Sequence, residues 1–418
     1  MFNFNIDIDR ETAKNQERIA SLMDSVEQQL EATVTPEMTE GIRKIYITGC
    51  GDSYFAAQGA RLFFEKCTGL DIEPIEAMEF SRYTVKNIRK DTLVLAVSNS
   101  GRVSRTIEAI LQARARHVRT IALTGHDDRS VAEHADAAIV GALPNIRLAL
   151  GSMSARVEGN AEDALFERLA EPGAVSRSAQ ALGMDIGLDF LLFMLGAYMN
   201  SLILLYCTAI RIGCMTGRIS QQLAERHRQD ILRSVGISAK TAAACLAPIE
   251  ALAKSFAAKD AFLFIGAGPA YAAAALSAAK LFEQPHINGV AQQLEEWAHL
   301  QFFFTRPDGI PVFVIVPPGE SRDRALEQIS GIKKLGGTVI AICDETDDEV
   351  RAAADAALPI AGSLPEELTP LVYGVPGQLF AVTMLELRGQ PPIPAPYSFK
   401  QMMQVNFSQI YGSRIKSD

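Results

Sequence analysis

A chain of 418 residues, 48% hydrophobic and 21% charged, is long enough for two well-filled domains and too apolar to stay disordered. Its 49 acidic and 40 basic side chains give a formal charge of −9, which excludes nucleic-acid or anionic-membrane binding driven by the overall field. A local anion site built from backbone N–H groups stays open.

The opening MFNFNIDIDRETAKNQER has no basic region ahead of an apolar stretch, so no secretory signal is expected. Asp9 to Thr33 predicts an amphipathic helix within an N-terminal segment of residues 1–40. KIYITG (44–49) predicts a strand ending in Gly49-Cys50-Gly51-Asp52-Ser53, and YFAAQGARLFFEKC after it has helical spacing. DTLVLAVSNSG (91–101) is a second strand, SRTIEAILQARAR its helix, and HVRTIALTG and HADAAIVG are a third and a fourth strand. Residues 141–187 predict a loop. Leu188 to Ile210 is apolar enough to test as a membrane span, but it carries Asp189 and Asn200 and has no companion span. A buried central helix, with no membrane partner, is expected there. These elements make a first domain of residues 41–210.

Residues 211–255 predict a helical connection to a second domain, 256–390. The same order returns: DAFLFIGAGPAYAAAALSAAKLFE, then GIPVFVIVPPGESRDRALEQISGIKKLGG, TVIAICDET and AALPIAG. From Gly49 to Gly266 is a displacement of 217 residues, which indicates an internal duplication. Strands alternating with helices predict two α/β units of flavodoxin type, each a parallel sheet flanked by helices. The tail, 391–418, opens proline-rich, and GQPPIPAPYSFKQMMQ (389–404) predicts an extended segment lying on the body or on a neighbouring subunit.

Two loops carry the first chemical signal. Gly49 to Ser53 and Ser98-Asn99-Ser100-Gly101 follow successive strands, and open parallel sheets bind ligands at the carboxyl ends of strands. Taken alone, SNSG is equally a turn with a helix N-cap; two such loops together predict a phosphate site. In the second half the equivalents are Gly266-Ala267-Gly268-Pro269 and Pro317-Pro318-Gly319-Glu320-Ser321, where proline removes donors and Glu320 repels an anion. That half instead offers Lys280-Leu281-Phe282-Glu283 and Glu295-Glu296-Trp297-Ala298-His299. A carboxylate and an imidazole are the natural pair for moving protons beside a carbonyl. The structural alternative has Glu283 ending a helix and His299 hydrogen-bonded in the core. The other five histidines show no metal-ligand spacing, and no metal site or cofactor is expected. The six cysteines show neither a CxxC pair nor zinc-ligand spacing, and read as buried thiols of a reducing, cytoplasmic compartment. The Phe302–Phe304 run reads as core rather than as a base-stacking platform.

GCGDSYFAA, SNSGRVSRT, KLFE, EEWAH and LVYGVPGQLFA, taken in order, resemble the tandem SIS (sugar isomerase) domain family over residues 40–400. The family includes the isomerase half of glucosamine-6-phosphate synthase and the fructosamine-6-phosphate deglycases. Only the residues before Lys44 precede the first strand, so the synthase's glutamine amidotransferase domain is not expected. The resemblance implies that Gly51, Asp52, Ser53, Ser98, Asn99 and Ser100 hold a sugar phosphate. Asp52 stands where the family has threonine, and Val103 where it has another, with Ser104 or Arg105 as possible replacements. Ser176 falls in the segment that touches sugar hydroxyls. Glu283 matches the carboxylate that moves a proton between C1 and C2, and His299 the histidine of ring opening or general acid catalysis. Lys280 and Lys400 match two further active-site lysines, although PYSFK departs from the pattern. A homodimer with shared active sites is implied. Three activities follow: cleavage of a fructosamine 6-phosphate, aldose–ketose isomerisation or amino-sugar-phosphate deamination, and non-catalytic phosphosugar binding. No effector module of a regulator is evident in the N-terminal segment.

Overall fold

A computed structural model describes residues 8–127, 130–143, 196–389 and 399–416. They fall into two compact units, one from residues 16–143, 196–232 and 399–416, the other from residues 8–15 and 233–389.

Helix α1 (Ile8–Thr33), which belongs to the first unit from Gln16 on, precedes strand β1 (Lys44–Gly49). Helix α2 (Asp52–Thr68), β2 (Asp71–Glu76), α3 (Ala77–Arg82), β3 (Thr92–Ser98), α4 (Ser104–Arg114), β4 (Arg119–Thr124) and β5 (Ala137–Val140) follow. The sheet order is β2-β1-β3-β4-β5, every pair parallel. β3 is buried along its whole length, as a central strand covered on both faces must be. The order reverses between β1 and β3, so the loops after these two strands diverge and leave a crevice at the switch point. They are the two loops singled out in the sequence.

Helix α5 (Gly196–Met215) fills the core beside α2. Tyr206 meets Phe63 edge-on at 4.7 Å, and Gly213 lies so close that a Cβ would sit 2.5 Å from Cys67 O. Three stretches among the described residues are long and apolar enough to cross a membrane, but α5 is 78% buried within its unit over its most apolar window. The span expected from Leu188 is helical over its described part, from Gly196.

Helix α6 (Gln221–Ser255) leads to the second unit: β6 (Ala261–Gly266), α7 (Pro269–Glu283), β7 (Asn288–Gln293), α8 (Glu296–His299), β8 (Val312–Val316), α9 (Arg322–Lys334), β9 (Val339–Asp344), β10 (Ala356–Ile360) and α10 (Val375–Arg388). Its sheet order, β10-β9-β8-β6-β7, repeats the first topology, again all parallel. Phe262, Phe264, Phe313 and Phe380 pack ring against ring in its core.

Three expectations change. The tail is helical rather than extended over α11 (Phe399–Tyr411), because the prolines stop short of the Met- and Gln-rich segment that favours a helix. Phe302, Phe303 and Phe304 are not core; they form an exposed 3₁₀ turn, with Phe303 78% accessible. Of the six free cysteines, Cys50 and Cys214 are half-buried rather than buried.

Candidate active site

The crevice of the first sheet depends on glycine. A Cβ at Gly49 would sit 2.8 Å from Val97 O and 3.0 Å from Ser53 Cβ, so only glycine lets β1, β3 and α2 converge there. Gly51 takes φ 56°, ψ −131°, and caps α2 with no side-chain hydrogen bond. Val103, at the N-cap of α4, gives none either. Two helices therefore start at the crevice with N-cap residues whose own side chains leave the first amides unbonded, an arrangement that favours an anion.

The polar side chains around the crevice divide into engaged and unengaged. Ser98 is 1% exposed, and its Oγ has no hydrogen-bond partner. The hydroxyl of Thr48, also buried, lacks a partner too. A buried hydroxyl left unmade costs stability, and a ligand that satisfies it recovers that cost. Ser53 is buried on the first turn of α2, and Ser100 is half-buried. Asn99 is engaged: its Oδ1 accepts from Asn200 Nδ2 at 2.9 Å and its carbonyl from Gly125 N at 3.2 Å. Its side chain shapes the loop. Cys50 donates to Glu76 Oε1 at 3.3 Å; burial and then the Glu76 charge push its thiol up to about 12, so it stays protonated at neutral pH. Arg105 does not replace the threonine missing at Val103, because it is turned to Glu108 and to Ser413 and Arg414 of the tail.

The second sheet repeats the backbone without the site. Gly268 takes φ 53°, ψ −131°, the conformation of Gly51, but Pro269 and Ala270 follow where the first unit has Asp52 and Ser53. At the next loop the chain supplies its own anion: Glu320 N donates to Glu366 Oε2 at 3.3 Å, and a Cβ at Gly319 would meet that carboxylate at 2.2 Å. A cleft of about 480 Å³ opens nearby, lined by Asp344, Asp347, Asp348 and Glu349 with one arginine, Arg322. Phosphate would be repelled there.

Glu283 is the last residue of α7, 55% exposed, and Lys280, 4% exposed, holds its Oε2 at 2.8 Å. His299 ends α8, 65% exposed, with Nε2 3.8 Å from Glu295 Oε1. One chain does not bring these two together. The 15 residues of α7 run back from the carboxyl end of β6 and carry Glu283 about 20 Å toward the opposite edge. β7 then returns, and Leu294 N bonds Gly266 O at 2.9 Å, so His299 belongs to the carboxyl edge. Lys400 lies in the first turn of α11, and Ser176 lies outside the described residues. The sequence reading did not use Asn200 as a site residue; an isolated amide in an apolar run was its signal.

Residues 40–158 and 255–388 match the SIS domain. The glutamine–fructose-6-phosphate aminotransferase (isomerizing) of Methanothermobacter thermautotrophicus is 26% identical over 355 residues, 84% of this chain and 50% of that protein. The chain thus spans about half the length of the relatives it matches in sequence. Among solved structures, the C-terminal domain of glucosamine-fructose-6-phosphate aminotransferase from Francisella tularensis superposes with a TM-score of 0.70 at 19% identity, covering 93% of this chain and 99% of that one. Glucosamine-6-phosphate deaminase from Thermotoga maritima superposes at 0.58 with 18% identity, covering 93% and 98%. At these identities the superpositions establish a shared fold.

Proposed function

The chain belongs to the SIS domain family, and on that premise we propose that it is a phosphosugar enzyme that cleaves a fructosamine (Amadori) 6-phosphate into hexose phosphate and an amine or amino acid. The observation that carries the phosphosugar part is the unpartnered Ser98 hydroxyl, buried where two helix N-termini meet. A phosphoryl group supplies the acceptors that this arrangement lacks.

In this reading the loops of the first sheet hold the phosphate while Glu283 and His299 transfer protons. His299 assists ring opening. Glu283 takes a proton from C1 of the open-chain ketoamine as the C2 oxygen is protonated, giving an enaminol. The proton returns at C2, leaving an imine at C1. Water adds to that carbon, and the C–N bond breaks as the nitrogen leaves with a proton from His299. Lys280 orients the Glu283 carboxylate through its ion pair. Because one chain keeps Glu283 and His299 at opposite edges of the sheet, we assign the working unit to a homodimer in which they come from different copies.

An aldose–ketose isomerase or a deaminase would use the same shuttle, and the superposition on a glucosamine-6-phosphate deaminase supports keeping that second reading. One assay separates them. The purified chain is incubated with fructosamine 6-phosphates, glucosamine 6-phosphate and fructose 6-phosphate, and released amine, ammonia and aldose phosphate are measured. Amine release with hexose phosphate supports cleavage. Ammonia from glucosamine 6-phosphate alone, or ketose–aldose interconversion alone, selects the second reading. Tight binding without turnover rejects both.

A further inference from the structure

Tyr198 is 1% exposed, and its hydroxyl has no hydrogen-bond partner. Its place follows from how α5 lies on α2. Gly213 abuts Cys67 and Tyr206 meets Phe63, so the two helices run parallel. Tyr198 is eight residues before Tyr206, on the same face and about 12 Å nearer the start of α5. The same distance along α2 from Phe63 reaches Phe55, at the end of the first turn that Asp52 and Ser53 begin. Asn200, about 3 Å further along α5 and on the opposite side of the helix, bonds Asn99, which places this end of α5 level with the neighbouring loop. Burial first, and then the charge of Asp52, hold the Tyr198 phenol above its ordinary range, so it remains a donor at neutral pH.

We propose that the Tyr198 hydroxyl is a ligand-binding group of the loop site, which donates to a hydroxyl oxygen of the sugar while Asp52 accepts that hydroxyl's proton. A donor phenol together with an acceptor carboxylate suits a group that both accepts and donates, which a sugar hydroxyl does and a phosphate dianion does not. Asp52 thereby acquires a role that an anion-binding threonine would not have. The proposal rests on the phosphosugar reading above and adds a contact to the sugar beyond the phosphate.

The test compares the full-length chain with Tyr198→Phe and Ser98→Ala, using fructose 6-phosphate and inorganic phosphate as ligands. In Tyr198→Phe the dissociation constant for fructose 6-phosphate should rise roughly tenfold, while that for inorganic phosphate stays within about twofold. The ligand-free variant should melt at the same or a higher temperature, because an unmade buried hydroxyl has been removed. Ser98→Ala should weaken both ligands. If Tyr198→Phe lowers the melting temperature and leaves fructose 6-phosphate affinity unchanged while Ser98→Ala weakens it, the hydroxyl is structural and this proposal fails alone. If the parent chain binds neither ligand, the phosphate site fails and takes this contact with it.

Discussion

Asn200 Nδ2 donates to Asn99 Oδ1 at 2.9 Å, tying the start of α5 to the loop after β3. The same amide donates to Gly141 O at 2.7 Å, and its Oδ1 accepts from Leu143 N at 3.1 Å. One side chain, 1% exposed, thus fixes the loops after β3 and β5 together. Replacing it strands buried groups on both. Asn200→Ala should lower unfolding stability by about 2–3 kcal/mol. Asn200→Asp should be worse, since a carboxylate would face two acceptor oxygens. Urea midpoints read the effect, and an alanine variant as stable as the parent would show that water replaces the amide.

Ser98 should behave differently, because its hydroxyl has no partner in the free chain. Ser98→Ala should leave stability unchanged or raise it, and should weaken hexose 6-phosphate binding by about 1.5–3 kcal/mol, the range for a hydrogen bond to a charged group. Ser100→Ala should also weaken binding. Calorimetry that finds unchanged affinity in both variants removes the loop from the site.

The legible parts of this fold were those in which a short segment carries its whole signal. β1, β3, β4, β6, β8 and β9 are apolar runs ending in small or polar turns, because central parallel strands are covered on both faces. The edge strands β2 and β7 gave no such signal. DIEPIE and NGVAQQ are polar and partly exposed, and Pro74 is tolerated in β2 because an edge strand has a free side. The serines and glycines of the proposed phosphate loop were visible at strand ends. Two tertiary facts were not: Asn200 reaching Asn99 and Glu366 filling the second loop. Each joins residues far apart in sequence, where local pattern is silent.

The tail adds a pH-dependent element. Glu108 on α4 is wholly buried and receives Ser81 Oγ at 3.2 Å, Arg82 Nε at 2.8 Å, Arg105, and Lys416 N at 2.9 Å. Burial works against its charge, but Arg82, the Lys416 amide and Arg105 outweigh it and hold the carboxyl below its usual range. A depressed carboxylate binds fewer protons folded than unfolded. Its stabilisation is therefore full above the unfolded-state value of about 4.3, and is lost as the pH falls through the folded value. Glu108→Gln should cost about 1.5–3 kcal/mol at pH 7, and the gap from the parent should close in acid. A gap that persists unchanged to pH 2 would assign the loss to packing instead.

The last prediction concerns the proton shuttle. Glu283→Gln keeps shape and cannot take a proton, so turnover should fall by about 10²–10⁴ while hexose phosphate still binds, because the phosphate loops lie on the other sheet. His299→Asn should slow turnover too, and the double variant should be little worse than the slower single one. The separation of the two residues within one chain makes a sharper test possible. If each site takes Glu283 from one copy and His299 from the other, a mixed dimer of the two variants has one site with both defects and one with neither. Random exchange makes half the dimers mixed, so activity should return to about a quarter of the parent's from two nearly inactive proteins. The mixture is unfolded and refolded together, and its activity is compared with that of each variant refolded alone. Sedimentation should give a dimer. If the mixture is no more active than the average of its components, while each variant is folded and dimeric, then the two residues do not meet across copies, and the shuttle assignment fails with them.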